Sequence, residues 1–277
     1  MSFSITGKTA IVTGAANGVG LAIARHFAAQ GANVVCADAD EAKLIEEFGR
    51  NPETSDGAEG EDRNVRIHAG DLRTKLTITN LIAAAVDAFD RVDILVNASR
   101  QMVASDPLDM KDKTVETLLD QNLMTALRLS QAVAKRFIAQ GEAVADDSAE
   151  PLGAIINLSS IASNRTQPGL MAFSIAAAAL EQATRALAVA LAPYRIRVNA
   201  VSFGSVMSAT LHETLREDPA LRGMIVDGTP LGRIAGASEL AETVRYLASD
   251  GSGFMTGQVL TVDGGRCLVD AVGAPAH

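Results

Sequence analysis

The chain has 277 residues, 48% of them hydrophobic, and a formal net charge of −9. That is enough apolar material for one large core, and the acidic balance argues against a nucleic-acid partner or an anionic membrane surface, both of which need clustered cations. Two cysteines, Cys36 and Cys267, and four scattered histidines (His26, His68, His212, His277) suggest neither a disulfide framework nor a metal site.

In chain order, Met1 to Lys8 has no basic flank and no long apolar run, so neither a signal peptide nor a membrane anchor is expected, and a cytoplasmic location is. Thr9–Val12 is short and β-rich, Leu21–Gln30 carries an apolar face at helical spacing ended by Gly31, and Asn33–Ala37 is a second apolar strand. The alternation continues. Helices are predicted over Glu41–Phe48, Leu76–Phe89, Thr114–Gln140, Phe173–Ala192 and Glu239–Ser249. Strands are predicted over Val65–Ala69, Asp93–Asn97, Ala154–Leu158, Ile196–Val201 and Val259–Val262. Two polar stretches, Gly49–Asn64 and Gly141–Gly153, read as solvated loops, and Ser208–Pro230 reads as a loop that sets substrate specificity. Strands that alternate with helices imply a parallel sheet covered on both faces. The expected fold is a Rossmann-type, doubly wound, seven-stranded parallel sheet with helices on both faces, forming one domain over residues 1–277.

Between the first strand and first helix stands Thr13-Gly14-Ala15-Ala16-Asn17-Gly18-Val19-Gly20. A backbone that leaves a strand sharply and passes close to a pyrophosphate has no room for side chains. The helix behind it turns free N–H groups and its positive end toward the anion. Asp38 ends the second strand, 18 residues after Gly20. A carboxylate there accepts hydrogen bonds from a ribose 2′-hydroxyl and repels a 2′-phosphate. With Asn17 in the turn and no cation in Ala39-Asp40-Glu41, the expected cofactor is NAD(H).

These residues resemble the classical short-chain dehydrogenase/reductase family over nearly the whole chain. Thr13 to Gly20 resembles its glycine motif, and Asp71-Leu72 its adenine-contacting pair. Asn97-Ala98-Ser99 resembles its Asn-Ala-Gly turn, and Asn122 the helix asparagine that supports a water relay. Arg197 to Val201, Thr256-Gly257-Gln258 and Val262 to Gly265 match later signatures, and Val206 keeps a position whose backbone meets the carboxamide. The resemblance implies cofactor contacts at Gly14, Asn17, Gly18, Val19, Gly20, Asp38, Asp71, Leu72, Asn97, Ala98, Ser99 and Val206. It also implies a small-molecule substrate and a homo-oligomer, with hetero-association open, through helices Thr114–Gln140 and Phe173–Ala192.

The family's catalytic centre is a serine, a tyrosine and, four residues further on, a lysine. Ser160 matches the serine, but Phe173 stands at the tyrosine and Ala177 at the lysine. No lysine follows Lys135, so a shifted motif is excluded by inventory. Tyr194 and Tyr246, the only tyrosines, read as a turn and a packing residue. The proline of the family's Pro-Gly pair is Phe203 here. His212, Arg100 and Arg165 are the candidates for a substitute acid. The alternative is a catalytically silent NAD-binding subunit or sensor, partnered with an active homologue.

Overall fold

The computed structural model describes residues 2–51, 64–144 and 151–270. The first unit is built as its sequence dictates. β1 (Thr9–Thr13) is buried along its whole length and leads through the glycine turn into α1 (Gly18–Ala29) and β2 (Asn33–Asp38). α1 begins three residues before the predicted start, at Gly18, and so takes in the last two glycines of the turn. α2 (Glu41–Phe48) starts at Asp40, whose side chain accepts the Lys43 amide, and β3 (Val65–Ala69) follows. α3 (Lys75–Phe89) is capped by Thr74, and β4 (Ile94–Asn97) is fully buried.

The predicted helix Thr114–Gln140 is broken in three. A short α4 (Thr114–Leu118) passes through a π-helical turn at Leu119–Met124 into α5 (Thr125–Val144). Such a turn widens a helix locally and is common beside functional sites. α5 therefore takes up the start of the predicted second loop, whose Asp146 and Asp147 lie outside the described residues, as does most of the loop predicted at Gly49–Asn64.

β5 (Gly153–Ser160), α6 (Met171–Leu191) and β6 (Ile196–Phe203) complete the middle of the sheet. β7 (Val206–Met207) follows. The predicted loop after Ser208 instead holds two helices, α7 (Ala209–Glu217) and α8 (Pro219–Asp227). Ser208 and Asp218 cap them, and Pro219 occupies a first-turn position that tolerates proline. Frequent cap and turn residues made helices this short look like loop. β8 (Ala235–Gly236) pairs with β7, α9 (Ala237–Ala248) follows, and β9 (Val259–Val262) ends the main sheet.

All seven strands of that sheet are parallel, in the order β3-β2-β1-β4-β5-β6-β9. The expected α/β class and strand number hold. One face packs Ile23 and Phe27 of α1 and Leu240, Val244 and Leu247 of α9. The other packs Leu81 of α3, Leu129, Val133 and Phe137 of α5, and Ala188 of α6. Chain order reverses between β1 and β4, which opens a crevice at the C-terminal ends of the strands where doubly wound sheets bind ligands. The stretch Pro168–Tyr194 is long and apolar enough to cross a membrane. Within this fold, α6 instead packs against β5 and β6.

Candidate functional site

A cavity of about 960 Å³ opens at that crevice, at the upper end of the range for small-molecule sites. One end is formed by the glycine turn. A Cβ on Gly20 would stand 2.1 Å from the Gly14 carbonyl oxygen, and one on Gly14 would stand 2.8 Å from the Ser99 backbone. These two glycines let the turn fold back on β1 and on the end of β4. A Cβ at Gly18 meets nothing within 4 Å, but its φ of +58° favours glycine. The Thr13 hydroxyl accepts the amides of Ala98 (3.0 Å) and Ser99 (3.1 Å), tying the two strand ends together. Gly20→Ala is expected to lower stability by about 1–3 kcal/mol or more through overpacking, seen as a fall in melting temperature.

Asn17 caps α1 without a side-chain hydrogen bond, and the first turn carries no acidic residue. Its amides therefore remain available to an anion. Asp38 borders the cavity. One carboxylate oxygen accepts the Ala16 amide at 3.1 Å and the other the Asp40 amide at 3.1 Å. An ionised carboxylate offers about four acceptor positions, so two remain for a ligand diol. Asp71 and Leu72 also line the cavity, but Arg73 grips Asp71 with bonds of 2.7–3.0 Å. That contact holds the Asp71 carboxyl below the usual carboxylate range.

Two residues carried over from the resemblance are not in the cavity wall. Asn97 is buried and donates to Ser130 (3.0 Å) and to Asn157 (2.8 Å), which donates in turn to Thr184 (2.9 Å). This chain of polar groups joins β4, β5, α5 and α6, so the Asn97 side chain is a structural strut. Ala98 and Ser99 do line the cavity. Asn122, inside the π-helical turn, clamps Gln101: it accepts the Gln101 amide and donates to its carbonyl, both at 2.8 Å. Its side chain is thus spent on shaping the cavity rim.

Near the other end, Ser160 closes β5 and faces the cavity, while its hydroxyl accepts the Ala162 amide at 3.2 Å. Phe173 lines the wall, buried among Leu118, Ala162, Ala172 and Ala176. Ala177, one turn along α6, is buried and outside the wall. Val206 lines the cavity beside Phe203, Gly204 and Ser205. Of the candidate substitute acids, His212 is exposed on α7 and outside the wall, whose contacts from that helix are Leu211 and Thr214. Arg100 and Arg165 both line it. Tyr246 packs 5.8 Å from the Phe3 ring and Tyr194 is exposed, so neither lies at the cavity.

One residue escaped the sequence reading. Glu181 is buried one turn beyond Ala177 and accepts the hydroxyls of Ser159 (2.9 Å) and Ser163 (2.7 Å), locking the end of β5 and the turn after Ser160 onto α6. A lone glutamate in an alanine-rich helix gave no signal of this. Glu181→Ala strands the Ser163 hydroxyl and leaves Ser159 only a longer bond to the Ala177 carbonyl (3.4 Å), and is expected to cost about 1–3 kcal/mol in denaturant unfolding, with Glu181→Gln milder.

Residues 14–266 match the family model described as enoyl-(acyl carrier protein) reductase. The chain is similar to the oxidoreductase UcpA of Salmonella typhimurium, 31% identical with 97% of both chains covered. It is also similar to the short-chain reductase protein NovJ of Streptomyces niveus, at 32% identity with 94% of both covered. A short-chain type dehydrogenase/reductase from Mycobacterium marinum superposes with a TM-score of 0.79 at 25% identity, covering 96% of this chain and 99% of that one. The chain belongs to the short-chain dehydrogenase/reductase family of oxidoreductases.

Proposed function

We propose that this chain binds NAD(H) in the cavity and has lost the family's ordinary proton-transfer step. Asp38 carries the cofactor reading: its carboxylate borders the cavity beside the glycine turn with acceptor positions to spare. The uncapped first turn of α1 suits a pyrophosphate, and Gly18 leaves its approach open. When bound, the nicotinamide supplies or takes up a hydride. The chain's own part is then to bind, orient and exchange a proton, and here it is incomplete. Ser160 retains a hydroxyl to hold a carbonyl oxygen, but an aliphatic hydroxyl is a poor acid at neutral pH. Phe173 has a ring and no proton, and Ala177 has no cation. A panel of carbonyls and alcohols with NADH or NAD⁺ is therefore expected to show little turnover. Robust turnover in that panel would refute the reading.

A second reading, a silent NAD-binding subunit that assembles with copies of itself or with an active homologue, draws on α6. Its solvent side leaves Ile175 and Val189 exposed, 42% and 77%, on an otherwise alanine-rich helix. Self-association through that helix is expected as a dimer or larger species in light scattering. Val189→Glu is expected to weaken it.

A further inference from the structure

Beyond Ser160 the cavity wall changes sign. Its acidic members, Asp38 and Asp71, lie at the glycine-turn end with Gly14 and Gly18, and Asp71 is neutralised by Arg73. Around Phe203 the charged groups in the wall are Arg100, Arg165 and Arg266. None of the three has a carboxylate partner among the described residues.

They converge. The Arg100 guanidinium stands 4.2 Å from the Phe203 ring centroid and 5.9 Å from that of Phe173, and donates to the Ser159 carbonyl at 3.3 Å. Arg266 donates to the Ser205 hydroxyl at 3.3 Å, two residues from Phe203. Arg165 donates to the carbonyl of Cys267, the neighbour of Arg266. The nearby carboxylate, Asp263, is outside the wall and accepts the amides of Gly265 (2.9 Å) and Cys267 (2.7 Å).

Arg100 is exposed, and desolvation by the groups around its guanidinium pushes its pKa down to about 10. It remains a cation at neutral pH. A cation held against aromatic faces and one carbonyl, with no carboxylate partner, is free to meet the charge of a ligand. The planar fork of arginine matches an oxyanion.

We propose that this end of the cavity is an oxyanion subsite. Arg100, Arg165 and Arg266 receive the carboxylate or phosphate of a small substrate whose apolar body lies against Phe173 and Phe203. The proposal rests on the reading of the same cavity as a cofactor and substrate site.

The test is calorimetry on the full chain, with and without saturating NADH. The probes are phenylpyruvate, its neutral methyl ester and phenyl phosphate. At least one anion is expected to bind tenfold or more tightly than the ester, and the comparison of the two anions tells carboxylate from phosphate. Arg100→Met is expected to remove most of that preference, as is Arg165→Met with Arg266→Met. Equal binding of ester and anions would overturn the proposal, as would variants that keep the preference. So would anions that compete with NADH while Arg100→Met weakens NADH in the same proportion, since the arginines would then serve the cofactor's phosphates. A chain that binds no NADH but keeps the anion preference would refute the cofactor reading and leave the subsite standing.

Discussion

NADH is expected to bind the chain and NADPH to bind at least tenfold more weakly, a difference of about 1.4 kcal/mol. The discrimination is electrostatic. Asp38 sits at the end of β2 with both oxygens anchored by backbone amides of Ala16 and Asp40, so it cannot swing away from an approaching group. A ribose diol meets free acceptor positions there, whereas a 2′-phosphate meets a fixed negative charge. The cation that lines this end, Arg73, is already held by Asp71. Saturation with NADH at about 100 times its dissociation constant adds about 2.7 kcal/mol to stability, which reads as a rise in melting temperature. Asp38→Asn is expected to narrow the preference by relieving the repulsion. No binding of either dinucleotide would defeat the cofactor reading outright.

The residues that made this expectation possible were legible because they serve backbone geometry. A glycine with positive φ, or one whose Cβ would strike a carbonyl, leaves a mark in sequence at a fixed distance from its strand, and so does an acid at a strand end. The seven-strand alternation was legible for a similar reason: buried parallel strands are short apolar runs and the helices between them are longer. What failed to show was set by contacts between distant segments. The π-helical turn at Leu119–Met124 follows no period, and α7 and α8 each carry too few turns for a periodicity to stand out. Asn97 and Asn122 were found by motif, the first as a cofactor contact and the second as support for a water relay. The fold uses their side chains as a strut to Ser130 and Asn157 and a clamp on Gln101. Glu181 and the convergence of Arg100, Arg165 and Arg266 depend on elements far apart in the chain, and no spacing rule reaches that far.

Phe173→Tyr with Ala177→Lys is expected to raise carbonyl-dependent NADH oxidation by about 10²-fold or more over the parent chain, the scale of general acid–base catalysis. Phe173→Tyr alone supplies a proton donor in the cavity wall but leaves its pKa near that of an ordinary phenol, so its gain is expected to be smaller. The surroundings of position 177 complicate the second substitution. The site is buried, and Glu181 lies one turn further along the same helix with its carboxylate inside the protein. Side chains four apart on a helix meet, so the new ammonium has a competing partner that draws it away from the phenol. Adding Glu181→Gln removes that competitor while keeping an acceptor for Ser159 and Ser163, and the triple variant is expected to exceed the double one. Melting temperatures would show whether each variant is folded. If folded double and triple variants both bind NADH and neither turns over any carbonyl, the cavity no longer presents a carbonyl to the cofactor. The silent-subunit reading would then be the one to keep. If activity appears, the change at Phe173 and Ala177 removed the proton-transfer groups from a site that still accepts a substrate.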